Sequence, residues 1–250
     1  MTHSAAGRQG SGLAGSRAIV VAVDGPSGSG KSSAARGTAT ALGLRYLDTG
    51  AMYRAVTWWM LEHDVDLNDA AAVASHALNL AVDISTDPEL PQVRVEGIDV
   101  TAQIRNRRVS NVVSLVAAVP QVRRHLIAQQ QQIVAAAVAA GGIVAEGRDI
   151  GTVVAPEADV KVFLTASEQV RAERRAAELA GRPVRHTPAT DQDGPPGADL
   201  TRSEQALRDS RDAPQSAMAV DAVQIDATDL GLDEVIARIL GLVGAELAGT

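Results

Sequence analysis

The apolar run Ala18–Val23 breaks into Asp24-Gly25-Pro26-Ser27-Gly28-Ser29-Gly30-Lys31-Ser32, and this junction constrains the fold more than any other stretch. The run is β-branched and of strand length, the cluster after it is turn-forming, and from Lys31 to Leu42 the composition is helical. A strand that turns through glycines into a helix is the setting in which G-x-x-x-x-G-K-[ST] has physical meaning. The glycines let backbone N–H groups converge on phosphate oxygens with no side chain in the way. A helix opening at Lys31 aims the positive end of its dipole at the same anion. Gly25, Ser27, Gly28, Ser29, Gly30, Lys31, Ser32 and Ser33 are therefore the candidate cradle for the phosphates of a nucleoside triphosphate. Lys31 suits the β- and γ-phosphates, and the Ser32 hydroxyl suits Mg2+. Asp24, directly before the loop, reads either as a cap or as a carboxylate ordering Mg2+-bound water; the metal-linked role is preferred. The loop alone points to a nucleoside triphosphate and leaves the reaction open.

The rest of the chain alternates strands with helices. Leu44–Leu47, Gly142–Ala145, Val160–Leu164 and Ala222–Asp226 read as further strands. Met52–His63, Ala70–Leu80, Val109–Val138, Ser167–Leu179, Thr201–Asp209 and Asp233–Leu247 read as helices, with Pro120 opening a new one at its first turn. Such alternation predicts an α/β fold with a parallel sheet flanked by helices. Between about 66 and 108 the pattern changes: Val82–Ile84 and Val93–Glu96 alternate, with turn residues between them, and predict a small antiparallel insert. Residues 1–17 read as a flexible tail, and 181–199, rich in Pro, Gly, Thr and Asp, as a mobile loop. No internal repeat is visible.

Composition narrows the function classes. The net charge is −7 and aromatic residues make up 2%, so neither a basic face for a duplex nor stacking platforms for bases are on offer. No nucleic-acid partner is expected. Cysteine is absent, which excludes disulfides and thiolate metal sites. No apolar run approaches the roughly 18 residues of a membrane span, and no signal peptide is evident, so a cytoplasmic protein, as a monomer, is the expectation.

Two more clusters fall where strands should end. Asp48-Thr49-Gly50-Ala51-Met52-Tyr53-Arg54 follows the second strand, and Glu146-Gly147-Arg148-Asp149-Ile150-Gly151-Thr152 follows Ile143–Ala145. Ligands of open α/β sheets bind beyond these carboxyl ends. Arg54, one turn into its helix, suits a phosphate, although Asp48 or Thr49 is also an ordinary helix cap. Arg148 suits a phosphate too, and Asp149 can accept from an amino group; a surface salt bridge at a turn is the plainer alternative.

The three clusters, in this order and spacing, resemble the bacterial cytidylate kinase family, from about Ala18 to the chain end apart from 181–203. The resemblance implies a five-stranded parallel core, an acceptor-nucleotide subdomain at about 50–108 carrying the insert, and a lid at about 171–211. It implies transfer of the γ-phosphoryl group of ATP, with Mg2+, to CMP or dCMP. It places Thr49, Arg54, Arg148 and Asp149 in the acceptor site, with both arginines on the CMP phosphate and Asp149 on the cytosine amino group. Through the stretch Asn111–Arg123 it also brings Ser114 and Arg123 to the cytosine edge. Near Arg208-Asp209-Ser210-Arg211-Asp212-Ala213-Pro214-Gln215 the chain departs from the family's Arg-Asp-x-x-Asp-Ser-Thr-Arg. Arg208 and Asp212 align with positions that touch the acceptor, and Gln215 stands for the last arginine; a one-residue shift would align Asp209 and Arg211 instead.

Phosphoryl transfer to a phosphate needs in-line alignment and positive charge, not a general base. Lys31 and Arg148 are candidates to supply that charge. Arg171, Arg174 and Arg175 share a helix face and could join them on lid closure, with Arg171 and Arg175 named as catalytic; a solvated face interleaved with Glu168, Glu173 and Glu178 is the equal alternative. A kinase for AMP, UMP or a metabolite shares the same loop, and a degenerate, inactive relative fits too. A GTPase does not, since neither Lys31 nor Lys161 follows an asparagine.

Overall fold

The computed structural model describes residues 17–179, 203, 206–207, 209–213 and 216–249. Five parallel strands form one sheet: β1 (Ile19–Asp24), β2 (Arg45–Asp48), β6 (Gly142–Gly147), β7 (Val160–Thr165) and β8 (Val223–Asp226), in the order β2-β6-β1-β7-β8. The parallel core is as expected, and its strands start or end within two residues of the sequence reading. Strand β1 is central because all six of its residues are buried, a pattern that only a strand covered on both faces sustains.

Alternation along β1 divides the core in two. Val20 and Ala22 face one side, with Ile143 and Ala145 of β6. Helices α2 (Thr49–Glu62), α4 (Arg107–Ala117) and α5 (Pro120–Val138) close that side through Met52, Met60, Val113, Val116, Val122 and Leu126. Ile19, Val21 and Val23 face the other side, with Val144, Val162 and Leu164. There α1 (Lys31–Leu42) supplies Ala34, Ala35 and Ala39, and α7 (Leu232–Ala248) supplies Val235, Ile239 and Val243. The small alanine face of α1 lets that helix lie close to the sheet, which brings its N-terminus to the end of β1. Among the described residues, no helix is long and apolar enough to cross a membrane.

The insert is a three-stranded antiparallel sheet, β3 (Val82–Ile84), β4 (Val93–Val95) and β5 (Ile98–Asp99), after the short helix α3 (Ala70–Ala77). The last strand escaped the sequence reading. It is two residues long, and only the tight turn at Glu96 and Gly97, both at positive φ, folds it back. Val93, Val95 and Val100 join the same apolar cluster as Leu47 and Met60, so the insert is anchored in the main core through α2. The loop between β3 and β4 also covers the open edge of β2, where Tyr46 N donates to Thr86 O (2.9 Å). The tail 1–16 and the segment 180–202 lie outside the described residues.

Gly142 opens β6 at φ +126°, where a Cβ would stand 2.2 Å from Ile19 O; the neighbouring Gly141 (φ +107°) has open space. Gly142→Ala should therefore lose about 3 kcal/mol or more through clash plus backbone strain, and Gly141→Ala about 1–2 kcal/mol through strain alone. Urea midpoints at unchanged slope measure both, and both sites are at the end of the sheet away from the cleft.

Candidate active site

Three adjacent strands carry an acid at or next to their carboxyl ends. The register sets Asp48 of β2 beside Glu146 of β6, whereas Asp24 of β1 stands beside Gly147, one position further on, and so lies on the other face of the sheet from Glu146. Above them lies a cleft of about 380 Å3, lined by the phosphate loop, by the start of α2, by α4 and α5, and by residues 146–149.

The loop has the conformation its glycines allow. Gly25 lies at φ +144°, and a Cβ there would sit 2.1 Å from Leu164 O. Gly30 caps α1 in the left-handed region with no side chain over the helix N-terminus. Lys31 Nζ curls back to Pro26 O (2.8 Å). Arginines engage three more loop carbonyls: Arg148 Nη1 on Gly25 O (3.3 Å), Arg171 Nη1 on Ser27 O (3.1 Å) and Arg174 Nη1 on Ser29 O (3.2 Å). In a trans peptide the next N–H points the opposite way. Holding Ser27 and Ser29 through their carbonyls therefore turns the N–H groups of Gly28 and Gly30 away from the arginines, toward the hollow of the loop.

The helix α6 (Glu168–Leu179) that carries these arginines has no solvated basic face. Arg171, Arg174 and Arg175 are all buried. Each goes to a different place. Arg171 reaches the loop and Asp209 (2.5 Å). Arg174 bridges Ser29 O and Ala227 O (2.8 Å), tying the loop to the end of β8. Arg175 donates to Ser110 Oγ on α4 (2.5 Å). Burial lowers the Arg174 pKa, yet its carbonyl partners are neutral, so it is a strut rather than half of an ion pair. The sequence sets the three on one face and singles out Arg171 and Arg175; packing gives each of the three a different partner.

Glu146 was passed over by the sequence reading, which quoted it only as part of a motif. It is buried, accepts from Tyr46 Oη (2.5 Å), and is hydrogen-bonded by the Ser32 side chain. Burial raises its pKa, and nearby Asp48 adds to the rise, while Lys31 opposes it. Tyr46 rises too, through burial and then Glu146. A carboxylate at the end of a buried strand next to the loop strand was the available signal. Asp24 accepts through its two oxygens from Ile150 N and Gly151 N, both at 2.8 Å. Burial still raises its pKa, partly offset by those two bonds. They pin a widened turn, Ile150–Val154, in which Val154 N reaches back to Asp149 O and Ala155 N to Ile150 O.

On the acceptor side the cleft gathers Thr49, Arg54, Ser114, Arg123, Arg148, Asp149 and Asp212. Asp48 caps α2 by accepting from Ala51 N (2.9 Å), and its other oxygen pairs with Arg105 (3.2 Å). Thr49 Oγ1 donates to Glu146 O (2.7 Å). Arg123, in the first turn of α5, pairs with Asp149, and Arg148 pairs with Asp212 (2.9 Å). Tyr53, beside Arg123 and Asp149, has its phenol pushed up to about 12 by burial; Arg123 opposes the rise and Asp149 adds to it. Arg208 lies outside the described residues. Asp212 and Asp209, one helical turn apart, both face the arginines.

A parallel sheet ending in this loop, with buried arginines around one nucleotide-sized cleft, defines a P-loop phosphotransferase. The chain belongs to the cytidylate kinase family, whose model matches residues 21–245. A cytidylate kinase of Streptomyces avermitilis is 45% identical over 226 residues, covering 90% of this chain and 93% of that protein. One of Rhodococcus opacus is 46% identical over 233 residues, 92% and 96% of the two chains. A bifunctional pantoate ligase/cytidylate kinase of Prochlorococcus marinus is 44% identical over 234 residues, which cover 91% of this chain and 45% of that protein. Among solved structures, a shikimate kinase from Acinetobacter baumannii aligns over 91% of this chain and 94% of its own, at 13% identity and a TM-score of 0.43, too loose to add to the fold.

Because burial raises the Glu146 pKa, the folded state holds that proton more tightly than the unfolded chain does. The native state then loses stability as pH rises from the ordinary carboxylate pKa through the folded one. Glu146→Gln keeps an acceptor for Tyr46 and carries no charge. Its thermal midpoint relative to the parent should be higher at pH 8 than at pH 5, and thermal melts across that range check the crossing.

Proposed function

We propose that the chain transfers the γ-phosphoryl group of ATP to CMP or dCMP, giving ADP and CDP or dCDP. The observation that carries this reading is the division of one cleft. At one end lies the phosphate loop with Lys31 and Arg148, and Arg171 is bonded to the loop at Ser27 O. At the other, Asp149 and Ser114 offer an acceptor and a hydroxyl at the depth of a base, with Arg123 beside them.

ATP phosphates would lie in the loop, on N–H groups from Gly28 to Ser33 and on Lys31. Mg2+ would come with the nucleotide. Among the described residues no three carboxylate or imidazole groups converge to hold a metal, so phosphate oxygens would dominate its shell. The Ser32 hydroxyl fits as the protein's direct ligand, because Glu146 accepts its proton and leaves the oxygen lone pairs toward the cleft. The ion would neutralise charge on the β- and γ-phosphates. Asp24 could order water around it only through lone pairs beyond its two backbone bonds.

The acceptor is an anion, so no base has to remove a proton before attack. Arg54 and Arg148 would hold the CMP phosphate in line with the γ-phosphate, and Arg171 would meet the group in transit. Asp149 would accept from the exocyclic amino group, a contact that uracil cannot make. Asp212 would serve the acceptor's ribose while holding Arg148.

An ADP-release assay with ATP·Mg2+ against CMP, dCMP, UMP, AMP and GMP tests the reading; turnover confined to CMP and dCMP is the expected result, and a preference for another monophosphate would overturn the base assignments. Asp149→Asn should lower kcat/KM for CMP about 10–100-fold, the worth of a charged hydrogen bond, and narrow the gap to UMP. Arg148→Gln should lower kcat about 100-fold or more. Arg174→Gln should act chiefly on the thermal midpoint, because its partners are structural carbonyls.

A further inference from the structure

Beside the cleft, Asp209 faces two of the arginines that the proposed transfer uses, and has itself no part in that transfer. Asp209 Oδ2 accepts from Arg171 Nη1 at 2.5 Å, and Oδ1 lies 3.8 Å from Arg148 Nη1. The same two guanidinium nitrogens hold the phosphate loop by its carbonyls, Arg171 on Ser27 O and Arg148 on Gly25 O. Asp209 thus sets a carboxylate between two arginines anchored to the loop's rim, a position suited to a phosphoryl group passing from ATP to the acceptor. Arginine's planar fork accepts carboxylate and phosphate oxygens alike.

We infer that Asp209 is a placeholder for the transferred phosphoryl group: its carboxylate occupies the Arg148–Arg171 pair before ATP binds, and the γ-phosphoryl group must displace it. This inference rests on the reading of those arginines given above.

The contrast with Asp212 supports it. Asp212 grips Arg148 at 2.9 Å and is buried. Asp209 is more exposed, at 23% of its side chain, and holds one arginine closely and the other at ion-pair distance only. Oδ1 accepts no hydrogen bond among the described residues. It is the weaker-held carboxylate of the two, and the one that a more highly charged phosphate would replace. While in place, it keeps the buried Arg171 and the half-buried Arg148 neutralised and aimed at the loop, so that they need no rearrangement beyond exchanging one oxygen ligand for another. Arg148 and Arg171 balance Asp209 and Asp212 in charge; a γ-phosphoryl group entering without displacement would leave an excess of negative charge there.

The test compares ATP·Mg2+ with ADP·Mg2+, because only ATP carries the displacing group. Calorimetric titration without acceptor should show Asp209→Asn binding ATP about fivefold more tightly than the parent, the scale of a partly exposed ion pair, with ADP affinity unchanged. Asp209→Ser should repeat the gain should the amide disturb packing, and Asp209→Glu should return the ATP-to-ADP ratio toward the parent's. Loss of affinity for both nucleotides, or an unchanged ratio in both the Asn and Ser variants, would overturn the inference and leave Asp209 a structural partner. Arg171→Gln separates the two levels of the argument. With ATP weakened relative to ADP in that variant and no gain from Asp209→Asn, only the placeholder fails; with the ratio unmoved by Arg171→Gln, the placing of Arg171 at the γ-phosphate fails as well, and the placeholder with it.

Discussion

Asp24 holds the site together. Its carboxylate ends the central strand, and its two oxygens take the N–H groups of Ile150 and Gly151 across the gap between β1 and the segment after β6. That pair of bonds decides where the chain goes after Gly147. It widens the turn that follows and sets Arg148 and Asp149 on the lip of the phosphate loop rather than out in solvent. The carboxylate is buried, and burial raises its pKa. Backbone N–H groups offset that burial without introducing a counter-ion, which leaves the nearby arginines for other partners.

Around this tie the cleft is balanced charge against charge. Arg148 is held by Asp212, Arg171 by Asp209, Arg123 by Asp149 and Arg105 by Asp48. An unpaired guanidinium in a half-buried cleft would carry a large desolvation penalty. Each pairing therefore holds a cation in or beside the cleft without leaving its charge unmatched. Arg174 differs, because its carbonyl partners make it a brace between the loop and β8. One helix thus carries both kinds of arginine, and three residues of spacing separate the ion-paired Arg171 from the carbonyl-bound Arg174.

Much of the fold was legible in advance. The β-branched run, the glycine cluster and the alanine-rich segment from Lys31 to Leu42 are local signals, and the helix there has the predicted limits. Pro120 opens a helix where its fixed φ and missing N–H suit a first turn. The two-residue strand Ile98–Asp99 was not legible, because a stretch so short is defined by its partner and not by its own pattern. Ser114, the least conspicuous site residue, came only from family resemblance; its place in the cleft depends on how α4 crosses α2. Glu146 and Tyr46 meet across 100 positions of sequence, and no local pattern announces such a pair.

By itself the sequence determined the phosphate loop, the alternation of strands and helices, and the residues that end each strand, since these follow from backbone sterics and the two- and 3.6-residue periods of the side chains. Only the tertiary structure decided which acids and arginines meet. It assigned Asp24 to the turn after β6, divided the three arginines of α6 among the loop, β8 and α4, and set Asp209 between Arg148 and Arg171. The physical reason is range: propensity and periodicity act over a few residues, whereas the burial and pairing of a charge are settled by whatever distant element the packed sheet brings alongside.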